Sequence, residues 1–228
     1  MIEESVYFHS NHLKLEGVLT YKEDARPEQA ILLCAPHPNL GGDMDNNIIT
    51  SLARVSVNMG FVSLRFNYRC VGKSACHVRD IAGKFEYWEK SLHGDNYLDA
   101  EMDAQAALNF LVSQLNDTDK IYIAGYSFGS IVGMSIGAKN ASIAAVASIS
   151  TPFGKYNLDY LQFSRKPKLF IYSNNDFATT EKDTLKGFEP IASPKTLDLI
   201  ENSDHFYRTQ EDAVSQKVCN FFLNNGNI

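Results

Sequence analysis

Hydrophobic and polar residues alternate with period two at the start of the chain. Val6 and Phe8 fall on one side, Tyr7 and His9 on the other; a polar Ser10-Asn11-His12 turn then leads into Leu13, Leu15, Gly17, Leu19 and Tyr21. This pattern predicts a β-hairpin. The next run, 30–35, is apolar at every position, as in a parallel-sheet strand covered by helices on both faces; it halts at Pro36-His37-Pro38. Behind a capping Asp45 or Asn46, the residues Ile48, Ile49, Leu52, Ala53, Val57 and Met59 recur at roughly helical spacing, and Gly60 ends them. The unit repeats: strand 61–68, a long loop, helix 97–114, strand 120–125, helix 128–137, strand 143–150. After a further loop come strand 167–173, a helical turn, strand 195–199 and helix 210–223. Strands alternating with helices predict a doubly wound, mostly parallel α/β sheet preceded by an antiparallel hairpin, all in one domain spanning 1–228.

One junction in this alternation carries chemistry. Gly125-Tyr126-Ser127-Phe128-Gly129 follows the apolar strand residues Ile121 to Ala124 and opens the next helix. A serine on a sharp strand-to-helix turn is held in strained backbone with its hydroxyl exposed, and the positions two before and two after must lack side chains to avoid collision. The helix N-terminus then lies beside the hydroxyl, where its free N–H groups stabilise developing negative charge.

A serine hydroxyl needs a base, and the base an orienting acid. In a sheet of this kind the chain order is Ser, then Asp or Glu, then His, each on a loop at the carboxyl end of a strand. His205 is the one histidine after Ser127 and follows the last predicted strand. Asp176, in Asn174-Asn175-Asp176, directly follows the preceding one. Asp204 adjoins the base in sequence and is poorly placed to reach its ring; Asp183 and Asp198 fall in a helical turn and mid-strand. The oxyanion hole would combine the N–H of Phe128 with one from the loop His37-Pro38-Asn39-Leu40-Gly41-Gly42. Pro38 has no N–H, which leaves Asn39 or, second, Leu40. His37 reads as a second acid/base or, preferably, as a strand-end brace for that loop. Leu40, Tyr126, Trp88, Phe177 and Phe206 are the expected pocket lining.

Composition excludes several other classes. With 228 residues, 44% hydrophobic and 21% charged, the chain has ample length to bury a core. A net charge of −6 and no Lys/Arg block argue against a nucleic-acid or anionic-membrane partner. No apolar stretch approaches the ~20 residues of a membrane span, and no export signal is visible at the N-terminus, so cytoplasmic is the default expectation. Cys34, Cys70, Cys76 and Cys219 are scattered, which reads as reduced thiols. Val71-Gly72-Lys73-Ser74 ends like a phosphate-binding loop but has Asn67 where the motif needs glycine. Cys70, Cys76 and His77 lack a fourth ligand at zinc spacing. Asp99 and Asp103 read as the solvated face of their helix rather than as partners of a cation.

Taken together, the sequence resembles the α/β-hydrolase superfamily and, more closely, small serine hydrolases related to dienelactone hydrolase. Pro36-His37-Pro38, Gly41-Gly42 and Asp45-Asn46 are similar to that group's oxyanion loop and helix start. Arg65-Phe66-Asn67-Tyr68-Arg69 with Val71-Gly72-Lys73-Ser74 is similar to its strand and turn, and Asp204-His205-Phe206 to its base motif. Cys70 stands where the group usually has glycine, Ser127 where dienelactone hydrolase has cysteine, and the loop from Gly72 to Asn96 is longer than in the group. The resemblance implies a serine hydrolase acting on small or medium carboxylic esters or thioesters, with no cofactor; no metal is expected, and the stretch between 150 and 167 is too short for a large lid. The aromatic-rich stretch 77–93, with Trp88, is expected to wall the acyl pocket or, equally, to form a surface helix covering a sheet edge. A peptidase, acyltransferase or lyase would use the same machinery, and a silent binding module would keep the fold alone; oligomeric state is not legible.

Overall fold

The computed structural model describes residues 1–23, 28–116 and 120–225. Eight strands form one sheet: β1 (Ile2–Ser10), β2 (Leu13–Tyr21), β3 (Gln29–Cys34), β4 (Val62–Phe66), β5 (Lys120–Tyr126), β6 (Ile143–Ile149), β7 (Lys168–Ser173) and β8 (Lys195–Ile200). Their order is β1-β2-β4-β3-β5-β6-β7-β8. β1 pairs antiparallel with β2, and β2 with β4; every other pairing is parallel. The hairpin turns at Asn11, where φ is +54°, a left-handed value asparagine tolerates. The uniformly apolar 30–35 run is indeed central, paired on both edges and buried on both faces.

The described residues form six helices: α1 (Asn47–Asn58), α2 (Ile81–Leu92), α3 (Leu98–Ser113), α4 (Phe128–Lys139), α5 (Glu181–Phe188) and α6 (Glu211–Asn225); α2 packs on the 38–40 turn and the others on the sheet. Successive residues of β5 show how they divide between the faces. Tyr122 stacks on Phe222 of α6 with ring centroids 4.6 Å apart. On the other face, a Cβ at Gly133 of α4 would come within 2.9 Å of Ile123. α1 packs beside α6, and α3 beside α4. Between β6 and β7 the chain makes only one short 3-10 turn, Asp159–Gln162, so no lid domain stands there. Among the described residues no helix is long and apolar enough to cross a membrane.

Two side chains of the 65–69 segment tie the sheet to its surroundings. The Asn67 side-chain oxygen accepts the Met44 N–H at 2.8 Å, and its amide donates to Glu16 at 2.8 Å. Arg69 lies against Asp103, which is fully buried, at 2.7 Å and against Asp99 at 2.6 Å. The solvated-face expectation for this aspartate pair is thus corrected: the two acids neutralise a buried guanidinium that the helical spacing alone did not reveal.

The thiol expectation also needs correction. Cys70 and Cys76 are joined in a disulfide, whereas Cys34 and Cys219 are free and buried. The Cys70 N–H donates to Ala75 O at 3.1 Å and the Ser74 N–H to Val71 O at 3.0 Å. These bonds fold 70–76 back on itself and bring the two Cα atoms to 4.4 Å, within bridging range. Cys70 has φ of +68°, which accounts for glycine at this place in the sequences it resembles.

Candidate active site

The sheet has a switch point between β3 and β5: from β3 the chain moves outward to β4, then returns to the other side of β3 as β5. Loops leaving these two strands diverge and leave a crevice at their carboxyl ends, where open α/β sheets bind ligands. The 36–42 loop and the Ser127 turn meet there. Asp176 follows β7 and His205 follows β8, so all three expected residues lie at the same edge.

Ser127 sits at φ +54°, ψ −118°, between the end of β5 and the first turn of α4. Such a non-glycine conformation costs about 1–3 kcal/mol and persists only when its surroundings impose it. They do: the Ser127 N–H donates to Ile149 O at 2.8 Å, and both flanking glycines are crowded. A Cβ at Gly125 would sit 2.7 Å from the Ser130 Cα and closer still to the Gly129 oxygen. One at Gly129 would meet the backbone carbonyls of Cys34 and Ala35. As the first residue of α4, Phe128 has no partner for its N–H within the helix.

The Asp176 carboxylate accepts from His205 Nδ1 at 2.8 and 3.0 Å. It also accepts the Ala178 and Thr179 N–H groups at 2.7 and 3.2 Å. Burial pushes this carboxyl up. The His205 hydrogen bond and charge, with help from Ser150 and Ala178, outweigh burial and hold it below the usual carboxylate range. The acid is therefore ionised, and His205 Nδ1 carries the proton that it accepts. His205 Nε2 and Ser127 Oγ make no hydrogen bond among the described residues, and both groups line one cavity. The Tyr126 hydroxyl anchors the histidine loop by donating to His205 O at 2.7 Å.

The cavity has a volume of about 270 Å³ and a largely apolar lining, at the small end for ligand pockets. Leu40, Tyr126, Phe177 and Phe206 line it; Phe177 is 71% exposed at the mouth. Leu92, Pro152, Lys155 and Tyr156 also line it; no pattern in the sequence marked them for the site. Trp88 does not line it, which corrects that part of the expectation. The 77–93 stretch folds into α2, and Trp88 turns inward, 3% exposed, to pack on His37, Tyr68 and Phe128 with centroids 5.9–6.3 Å apart. Of this segment only Leu92 reaches the cavity.

What α2 does instead is hold the 37–42 loop. The Asn39 side chain donates to Phe85 O at 2.7 Å, and His37 Nε2 meets Ser91 Oγ at 3.0 Å. His37 Nδ1 accepts the Asn39 N–H at 3.1 Å, so its proton is on Nε2 and is given to Ser91. Burial, and then the charge of Lys155, push His37 down to about 4. A neutral imidazole with both nitrogens engaged fits the bracing role. The Asn39 N–H thus rests on His37 and does not point freely into the cavity. The Leu40 and Gly42 N–H groups both donate to His37 O at 3.0 Å.

No family model matches the chain. It is 27% identical to an uncharacterised protein of Rickettsia prowazekii, over 96% of this chain and 88% of that protein. Among solved structures, a putative α/β hydrolase of unknown function from Agrobacterium tumefaciens superposes with a TM-score of 0.81, at 26% identity over 98% of both chains. A lidless α/β serine hydrolase from Xanthomonas campestris superposes at 0.79, with 21% identity over 97% of this chain and 94% of that one. The chain has the α/β-hydrolase fold, without a lid.

Proposed function

We propose that this protein is a serine hydrolase that cleaves small or medium carboxylic esters or thioesters through an acyl-Ser127 intermediate. The observation that carries this reading is the buried Asp176–His205 pair, 2.8 Å apart, sharing a cavity edge with a strained Ser127. In the proposed cycle His205 Nε2 takes the Ser127 proton as Oγ bonds to the substrate carbonyl carbon. Asp176 holds the ring through Nδ1–H and stabilises the imidazolium. The tetrahedral oxyanion accepts from the Phe128 N–H. Asn39 N–H is the second donor, and has to turn from His37 Nδ1 to reach it. The imidazolium then gives its proton to the leaving oxygen or sulfur as the bond to carbon breaks. Water, deprotonated by the same nitrogen, releases the acid and regenerates Ser127. A cavity of about 270 Å³ supports short acyl groups.

The test is turnover of p-nitrophenyl esters from acetate to octanoate, with acyl thioesters alongside, by wild type and Ser127→Ala. Turnover that peaks at short chains and vanishes in the variant supports the proposal. Folded wild-type protein that turns over neither series overturns it, and favours a binding module.

A further inference from the structure

Among the described residues, Lys155 is the only lysine or arginine lining the active-site cavity, and no aspartate or glutamate lines it. Several other lysines are occupied: Lys139 pairs with Glu101, Lys217 with Asp198, and Lys166, Lys168 and Lys195 donate to backbone carbonyls. The Lys155 ammonium has no hydrogen bond, ion pair or ring contact among the described residues. Its backbone is fixed all the same. The Lys155 N–H donates to Pro152 O at 3.3 Å, the neighbouring Tyr156 hydroxyl donates to Ser91 O at 2.7 Å, and Gly94 packs against the Lys155 carbonyl. A flexible cation is therefore carried on a rigid rim, over an apolar wall that supplies no counter-ion. His37, Ser127 and His205 line the same cavity as Lys155, and the Lys155 charge helps to lower the His37 pKa.

We infer that Lys155 selects substrates bearing a carboxylate some distance from the scissile ester or thioester carbonyl. The inference rests on the serine-hydrolase reading and narrows it to anionic substrates. The carboxylate would lie beside the ammonium while the apolar part of the substrate fills the cavity. Cation and anion there are screened by little protein charge of opposite sign, yet they stay near solvent, so the preference is modest and salt-sensitive.

Two matched ester pairs test this. The p-nitrophenyl hemiester of adipic acid is compared with p-nitrophenyl hexanoate, which places the carboxylate on the acyl side. p-Acetoxybenzoate is compared with its methyl ester, which places it on the leaving group. The ratio of kcat/KM, anionic over neutral, is measured for wild type, Lys155→Gln and Lys155→Glu; intrinsic reactivities cancel between proteins. In at least one pair the ratio should fall about fivefold from wild type to Lys155→Gln and further in Lys155→Glu. The change should lie in KM and fade at about 0.5 M salt, where the screening length is ~4 Å. Ratios that are equal in all three proteins for both pairs overturn the inference. If neither neutral nor anionic ester is turned over, the hydrolase reading fails. The charge preference is then read as the affinity of the intact esters for Ser127→Ala against Ser127→Ala/Lys155→Gln protein by calorimetry: equal affinities overturn it, and a matching fivefold loss upholds it.

Discussion

Replacing Gly129 with alanine should disable the protein through the backbone rather than through any lost contact. A Cβ there would stand 2.5 Å from the Cys34 carbonyl carbon and closer still to the carbonyl oxygens of Cys34 and Ala35. Both sides of the clash are main chain, one in α4 and the other at the end of β3, so no rotamer change relieves it and the helix must move by about 1 Å. Overpacking of this kind costs ~3 kcal/mol, of which alanine's helix propensity returns up to ~1 kcal/mol. A net loss of about 2–3 kcal/mol lowers the melting temperature by roughly 5–10 °C for a chain of this size. Ser127 caps that helix and moves with it; a displacement near 1 Å is worth about a hundredfold in rate. Gly133→Ala is the control. Its Cβ would meet the Ile123 Cγ2 methyl at 2.9 Å and then nothing nearer than Cys34 Sγ at 3.8 Å. A side chain can give way, so stability should stay within about 1 kcal/mol of wild type. Calorimetric melting and the rate of fluorophosphonate labelling read both quantities. Equal melting and labelling of Gly129→Ala and Gly133→Ala would show that the close approach of α4 to β3 is not what constrains Gly129.

Three further outcomes follow from the same geometry. Asp176→Asn should keep the fold, because the Asn oxygen still accepts the Ala178 N–H, but its amide would face His205 Nδ1 and impose the tautomer that cannot take a proton at Nε2. Ester turnover should drop about 10³–10⁴-fold, and a drop under tenfold would argue against Asp176 as the acid. Trp88→Ala should destabilise by about 3–5 kcal/mol in urea unfolding while leaving acyl-chain preference unchanged; a shifted preference would return Trp88 to the pocket wall. His37 is held neutral down to about pH 4, whereas in the unfolded chain it protonates near ~6.5. The unfolded state therefore binds the extra proton between those values. Stability from this residue is full above pH 6.5 and is lost at ~1.4 kcal/mol per pH unit on the way down to 4. The advantage of wild type over His37→Asn should shrink across that window; parallel curves would contradict it.

Much of this architecture is legible along the chain because its signals are local. Period-two alternation fixes β1 and β2, all-apolar runs mark the strands buried on both faces, and the glycines around Ser127 state how closely α4 must approach β3. Chain order together with strand ends points to Asp176 and His205, since an open α/β sheet presents its ligand site at the carboxyl edge whatever the sequence. What escaped depends on direction in space. Trp88 occupies a helix whose two faces both carry aromatic residues, so spacing cannot say which one turns inward. Asp99 and Asp103 look solvated until β4 delivers Arg69 beneath them. Cys70 and Cys76 become partners only because the 70–76 turn closes through its own backbone bonds. Lys155 resembles any surface lysine; the cavity beside it is assembled from five strand-end loops and the end of α2. The Asn39 N–H is spent on His37 because a 3-10 turn, Pro38–Leu40, curls the loop back on its own histidine.

The proposed chemistry depends above all on an activated Ser127. Its most direct test is fluorophosphonate labelling of folded protein, with the modified residue located by mass spectrometry, in wild type, Ser127→Ala and His205→Ala. One adduct should form, on Ser127, absent from the first variant and formed at least a hundredfold more slowly in the second. Folded wild-type protein that stays unlabelled, or a Ser127→Ala variant that labels as well as wild type, would contradict it.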